Sequence, residues 1–168
     1  MPSAEASSPG AHAATAGAAD AWVIHCDGSA LPNPGRMGLG AVMVAPDGSR
    51  HTLSQAPHGT GCNNEAELRA LLAALDAVQA WGASVVEVYS DSSILVEQLA
   101  PVPARPVARL APLYAAARLR LGSFSAVRLH WLPQHRNAEA DGLARAALGL
   151  PVRLEAAPAG RKGRKRRR

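Results

Sequence analysis

The sequence predicts an α/β fold of three layers, with helices flanking a five-stranded mixed sheet of three antiparallel strands followed by two parallel ones. Two observations predict it. Between residues 21 and 56, three apolar or alternating runs are joined by short turns, which is the pattern of an antiparallel meander. Beyond residue 63, strand-like runs alternate with segments of helical period, so the later strands lie parallel and the helices cover the faces.

The elements follow in order. Residues 1–20, rich in Ala, Gly and Ser, lack apolar periodicity and read as a flexible extension. Ala21 to Cys26 is a buried strand that ends at Asp27-Gly28-Ser29, and Pro32 and Pro34 then force a loop. Gly38 to Ala45 is the second strand, Asp47-Gly48 a hairpin turn, and Arg50 to Ala56 the third strand. After a Gly-containing loop, Asn63-Asn64 caps a helix whose apolar stripe is Leu68, Leu71, Leu72, Leu75 and Val78, with Gly82 past its end. Val85 to Ser90 is the fourth strand, and a short helix runs from Asp91 to about Leu99. Pro101, Pro103 and Pro106 interrupt the chain before a helix that reaches Leu121 with Pro112 in its first turn. Val127 to Leu132 is the fifth strand, placing His130 inside a strand as His25 is in the first. Asn137 opens a last helix that ends near Gly149.

Composition narrows the class. Of 168 residues, 48% are hydrophobic but only 4% aromatic, so one domain-sized core must be built from Leu, Val and Ala. No run approaches the roughly 18 uncharged apolar residues of a membrane span, and no secretory pattern opens the chain. Cys26 and Cys62 are too few for a disulfide scaffold, and no spacing suits zinc; reduced thiols in a cytoplasmic protein are expected. Residues 161–168 carry seven of the 18 basic residues. The remainder holds 11 basic against 13 acidic residues, so the basicity belongs to the tail. Residues 151–168 are therefore expected to be a disordered Arg-rich tail drawn to phosphate-rich polymers. With no large uncovered apolar stripe, a monomer is expected.

Four acidic residues take the places where an α/β sheet gathers ligands. Asp27 and Asp91 follow the first and fourth strands, while Glu67 and Asp141 lie in the first turns of helices. Each has an ordinary reading of its own: a turn, a helix cap, or a first-turn acid favoured by the helix dipole. Yet no Lys or Arg adjoins Asp27 or Asp91, and converging carboxylates repel one another unless a divalent ion holds them. An oxygen-only ligand set suits Mg²⁺ or Mn²⁺.

The ordered motifs resemble those of type 1 ribonuclease H. Cys26-Asp27-Gly28-Ser29, Asn33-Pro34-Gly35 and Gly38-Leu39-Gly40-Ala41 are similar to that family's opening. Asn63-Asn64-x-x-Glu67-Leu68 resembles its paired-Asn motif, and Tyr89-Ser90-Asp91-Ser92 its third. Trp131-Leu132-Pro133-Gln134-His135 with Asn137-Ala138-Glu139-Ala140-Asp141-Gly142-Leu143-Ala144-Arg145 resembles the last. The likeness covers about residues 21–149 and selects Glu67 over Glu65, which lies further toward solvent.

The resemblance implies a ribonuclease H-like fold over residues 21–150 and hydrolysis of the RNA strand of RNA–DNA hybrids to 5′-phosphate and 3′-hydroxyl ends. It implies Asp27, Glu67, Asp91 and Asp141 as catalytic ligands of two Mg²⁺ ions, with Mn²⁺ as a possible substitute. His135 matches a mobile-loop histidine used for proton transfer or product release; its loop is shorter here, and the other reading is an incidental exposed side chain. Asn33, Asn63, Asn64 and Ser93 match contacts to the hybrid, where amides reach 2′-hydroxyls and base edges; the Asn pair also suits a helix cap. Cys62 stands where the family often has a small polar phosphate contact. The basic, Trp-containing protrusion of well-studied members is missing between Ala100 and Ser125, and the tail would then supply the electrostatic grip. The competing class is a non-catalytic hybrid-binding module on the same fold, against which the four intact carboxylates weigh.

Overall fold

The computed structural model describes residues 17–102 and 107–153. The extension up to residue 16, Pro103, Pro106 and the tail from residue 154 lie outside the described residues. Residues Ala18–Asp20 make one 3-10 turn leading into the first strand.

A mixed sheet forms the middle layer, in the order β3 (Arg50–Gln55), β2 (Gly35–Val44), β1 (Trp22–Leu31), β5 (Val85–Ser90) and β6 (Ala126–Trp131). Strand β1 pairs antiparallel with β2, which pairs antiparallel with β3. On its other side β1 pairs parallel with β5, and β5 with β6. The antiparallel-then-parallel arrangement is the one expected. A sixth strand was not: β4 (Thr60–Gly61), two residues long, pairs with β2 at Gly35 and Arg36. It is too short to leave a period-2 signal.

The first strand also runs further than expected. Asp27-Gly28-Ser29, turn-like in isolation, pairs residue for residue with Gly40, Leu39 and Gly38 of β2. The chain turns only at Pro32-Asn33-Pro34, where the prolines have no N–H to give a ladder. Pairing with β2 overrides the local preference of these residues.

Helix α1 (Asn63–Ala80) crosses β1 and β2 on one face and packs against α2 (Ser93–Gln98) and α3 (Ala111–Gly122). Helix α4 (Ala138–Ala147) covers β2, β1 and β3 on the other face. Leu68, Leu71, Leu75 and Val78 are fully buried beneath α1. Each leucine there contributes about 2 kcal/mol of transfer free energy. Ile24, Val86 and Val88 meet them from the sheet, with Ala66, Ala70 and Ala74 filling the close approaches. The core is thus aliphatic and small, as the aromatic-poor composition requires. Cys26 and Cys62 are free thiols. No helix among the described residues is long and apolar enough to cross a membrane.

Helix starts differ from expectation. The N-cap of α1 is Cys62 in extended geometry, not Asn63 or Asn64, which are the helix's first two residues. That moves Glu67 into the second turn. Helix α2 is capped by Ser92, whose Oγ accepts from Leu95 N at 3.1 Å. Asn137 does precede α4, but its side chain makes no capping bond, being used elsewhere.

Candidate metal centre

The parallel register brings Asp27 and Asp91 together. The last β1–β5 pair is Cys26 with Ser90, so the two aspartates come next on adjoining strands just past the end of the parallel ladder. There Asp91 has left the sheet, while Asp27 is still carried by β2. The indole N–H of Trp131 donates to the Asp91 carbonyl at 3.1 Å, fixing the backbone at that point.

Two glycines set the other carboxylates. A Cβ on Gly28 would collide with the backbone of Ala66 and Glu67, so α1 rests directly on β1 and delivers Glu67 beside Asp27. A Cβ on Gly40 would collide with the backbone of Ala140 and Ala144, so α4 lies equally close on the opposite face. Gly40 is the ladder partner of Asp27, and this contact brings the first turn of α4, with Asp141, to the same end of the sheet.

Asp27, Glu67 and Asp91 each present a carboxylate oxygen, all within 4.8 Å of one another. With Asp141 they line one open pocket of about 180 Å³, to which Ser29, Asn63, Gln134 and Arg153 also contribute. Asp141 stands outside the tight group of three; its Oδ2 lies 3.6 Å from Arg153 Nε.

The electrostatics follow from this crowding. Burial, then Asp91, Asp141 and Glu67, push Asp27 from an ordinary 3.8 up to about 8. Burial raises Glu67 to about 7 against a hydrogen bond from Ser92. Burial also raises Asp91, opposed first by Asn137. The Cys26 thiol is driven up by its burial and by Asp27, Glu67 and Asp91, so it stays protonated. Among the described residues, the pocket's only Lys or Arg is Arg153. An all-oxygen donor set, half-buried and short of countercharge, fits a hard divalent cation such as Mg²⁺ or Mn²⁺.

The remaining expected residues fall around this centre. Asn33, in the exposed turn, accepts from Asn63 N at 3.1 Å, and Asn63 Oδ1 accepts from Ala30 N at 2.8 Å. The two asparagines therefore lace the β1–β2 turn to the start of α1, and Asn63 reaches the pocket wall. This duty replaces the capping role expected of Asn63. Asn64 is half-buried beside it, and Ser93 is exposed at the first residue of α2. His135 is exposed on a 3-10 turn, Gln134–Arg136; the pocket is lined by its neighbour Gln134. Glu65, like Glu67, is half-buried, and pairs with Arg69 at 2.8 Å. His25 and His130 do lie in strands, stacked on the two sides of Tyr89.

Two residues of the site escaped the sequence reading. Asn137, buried, donates from Nδ2 to the Cys26 carbonyl at 3.0 Å and, at a longer 3.5 Å, to Asp91 Oδ1. Its position before a helix signalled a cap and concealed this tie between β1 and Asp91. Arg153 belonged to a segment read as disordered tail.

A ribonuclease H-like sheet with an acidic centre at the end of its parallel strands is the class these observations define. Residues 25–147 match the family model described as reverse transcriptase-like. The chain is 36% identical over 138 residues to bifunctional protein Rv2228c of Mycobacterium tuberculosis, covering 82% of this chain and 38% of that protein. It thus spans well under half the length of that relative. Among solved structures, RNase H1 from the halophilic archaeon Halobacterium salinarum superposes with a TM-score of 0.71 at 31% identity, covering 76% of this chain and 97% of that one. LC11-RNase H1, solved in complex with RNA/DNA hybrid, gives 0.68 at 30% identity, covering 76% and 96%. The chain belongs to the ribonuclease H1 family.

Proposed function

We propose that this protein is an endoribonuclease that hydrolyses the RNA strand of RNA–DNA hybrids, leaving 5′-phosphate and 3′-hydroxyl ends. The observation that carries the reading is the convergence of Asp27, Glu67 and Asp91 oxygens within 4.8 Å, with Asp141 on the same pocket. Membership of the ribonuclease H1 family and the likeness to a relative solved with hybrid bound support it.

Asp27, Glu67, Asp91 and Asp141 would hold two Mg²⁺ ions, with Mn²⁺ as a substitute. Once bound, such ions supply Lewis acidity at the scissile phosphate and a more acidic attacking water. The protein's own part is to fix the carboxylates and to oppose, at two of them, the upward pull of burial on their protonation. Asn137 and Ser92 do this by hydrogen-bonding Asp91 and Glu67 in their charged forms. Asn63 lines the pocket, and Asn33, Asn64 and Ser93 would join it as amide and hydroxyl groups suited to 2′-hydroxyls and base edges in the minor groove. His135, exposed next to Gln134, is free to shuttle a proton at the rim. Residues 161–168 add seven positive charges that would attract hybrid phosphates from outside the described domain.

The test presents the full-length protein with Mg²⁺ and end-labelled RNA–DNA hybrid, duplex RNA, duplex DNA and single strands. Cuts confined to the RNA of the hybrid, with the stated end groups, support the reading. Binding of hybrid without any cut in Mg²⁺ or Mn²⁺ would leave a hybrid-binding module in its place.

A further inference from the structure

The segment after α4 does not leave the domain directly. Gly149, at φ +71, turns the chain, and Leu150 N donates to the Arg145 carbonyl at 3.0 Å. Arg145 Nε then donates to the Pro151 carbonyl at 2.8 Å. Tied twice to the last turn of the helix, the chain folds back and brings Arg153 to Asp141 in the helix's first turn, on the wall of the acidic pocket. Arg153 is the pocket's only cationic side chain among the described residues.

We propose that Arg153 is a phosphate-binding residue of this site, its guanidinium resting against Asp141 in the free protein and engaging a phosphodiester oxygen when the hybrid docks. The inference rests on the nuclease reading above. Three features of the contact carry it. At 3.6 Å between Nε and Oδ2, it is longer than a charge-assisted hydrogen bond, so the group is attracted but not locked. The Arg153 side chain is 54% exposed while that of Asp141 is 8% exposed, so the cation faces solvent and the anion faces the protein. The guanidinium end of the pair is already in solvent, so it can swing to a new partner with little desolvation of its own. Finally, a polyanion approaching four carboxylates meets repulsion, and a guanidinium fork at the rim matches phosphate oxygens in geometry as well as charge. A cation coordinated by Asp141 would weaken that residue's pull on Arg153 and free the fork for substrate.

The experiment compares the full chain with Arg153→Ala and Arg153→Lys. Binding of a short RNA–DNA hybrid is followed by anisotropy in Ca²⁺ over a salt series, with single-turnover cleavage in Mg²⁺ and melting temperature alongside. Arg153→Ala should weaken binding about tenfold and reduce the slope of log affinity against log salt by about one, with the melting temperature unchanged. Arg153→Lys should restore the slope but only part of the affinity and rate, because an ammonium keeps the charge and loses the fork. Unchanged affinity and slope in Arg153→Ala would overturn the proposal. If Mg²⁺ binding, measured by calorimetry, tightens while hybrid affinity stays the same, Arg153 is a counter-ion to Asp141 and nothing more. A wild-type chain that neither binds nor cuts hybrid would overturn the nuclease reading itself, and this proposal with it.

Discussion

Gly40 stands opposite Asp27 in the β1–β2 ladder, and any side chain there would enter the backbone of α4 at Ala140 and Ala144. One residue thus sets how near Asp141 comes to Asp27. Gly40→Ala forces the helix outward; overpacking of this kind costs about 1–3 kcal/mol. The variant should unfold at lower denaturant and lose most hybrid cleavage, while retaining its far-ultraviolet circular dichroism. Native stability measured by urea titration, with full activity, would show that α4 can shift without cost.

The carboxylate cluster gives the metal-free protein an unusual pH dependence. Asp27 at about 8 and Glu67 at about 7 bind protons in the folded state that the unfolded chain, near 3.8 and 4.5, has already released. Between those limits the native state holds more protons than the unfolded one, so stability falls as pH rises. Melting temperature in a chelator should therefore decline from about pH 5 to about pH 8. Saturating Mg²⁺ should flatten the profile, and Asp27→Asn should make it shallower without metal, leaving the part that belongs to Glu67. A chelated wild type that grows more stable over this range would contradict the geometry of the cluster.

Asn137 joins the Cys26 carbonyl to Asp91 from a buried position. Asn137→Ala removes the hydrogen bond to that carbonyl, at a cost of about 0.5–1.5 kcal/mol, and frees Asp91 to turn. Turnover should fall with little change in hybrid affinity, as expected when a positioning group is lost and the binding rim is kept. A purely structural role would lower the melting temperature and leave turnover per folded molecule unchanged.

Glu65 and Glu67 separate cleanly by environment. Glu65 is spent on Arg69, whereas Glu67 meets Asp27 and Asp91. Glu67→Gln should reduce cleavage on the order of 10²–10³-fold, the scale of removing one electrostatic group from an active centre. Glu65→Gln should stay within about twofold, since a half-exposed pair of that kind contributes little.

Most of the fold could be read from the chain because apolar period and strand order are local signals; the motif resemblance singles out Glu67, and the structure brings it together with Asp27 and Asp91, with Asp141 on the same pocket. What escaped depends on tertiary contacts. Asp27-Gly28-Ser29 has the composition of a turn, and only pairing to β2 makes it strand. Asn63 has the chemistry of a cap, but its side chain is taken by Ala30 N, leaving the cap position to Cys62. Asn137 was hidden in the same way, since its partners Cys26 and Asp91 are remote in sequence. Arg153 carried no signal among neighbours that read as tail; its contact with Asp141 exists only because Gly149 reverses the chain.

The most direct measurement compares wild type and Asp91→Asn for Mg²⁺-dependent cleavage of an RNA–DNA hybrid labelled on each strand. Asp91 is one of three residues whose oxygens meet within 4.8 Å, and the amide keeps its shape while removing its charge. The expected result is cleavage of the RNA strand by wild type and near-complete loss in the variant, with hybrid binding retained by both. Equal cleavage by the two proteins would contradict the assignment of the acidic centre as the seat of the chemistry.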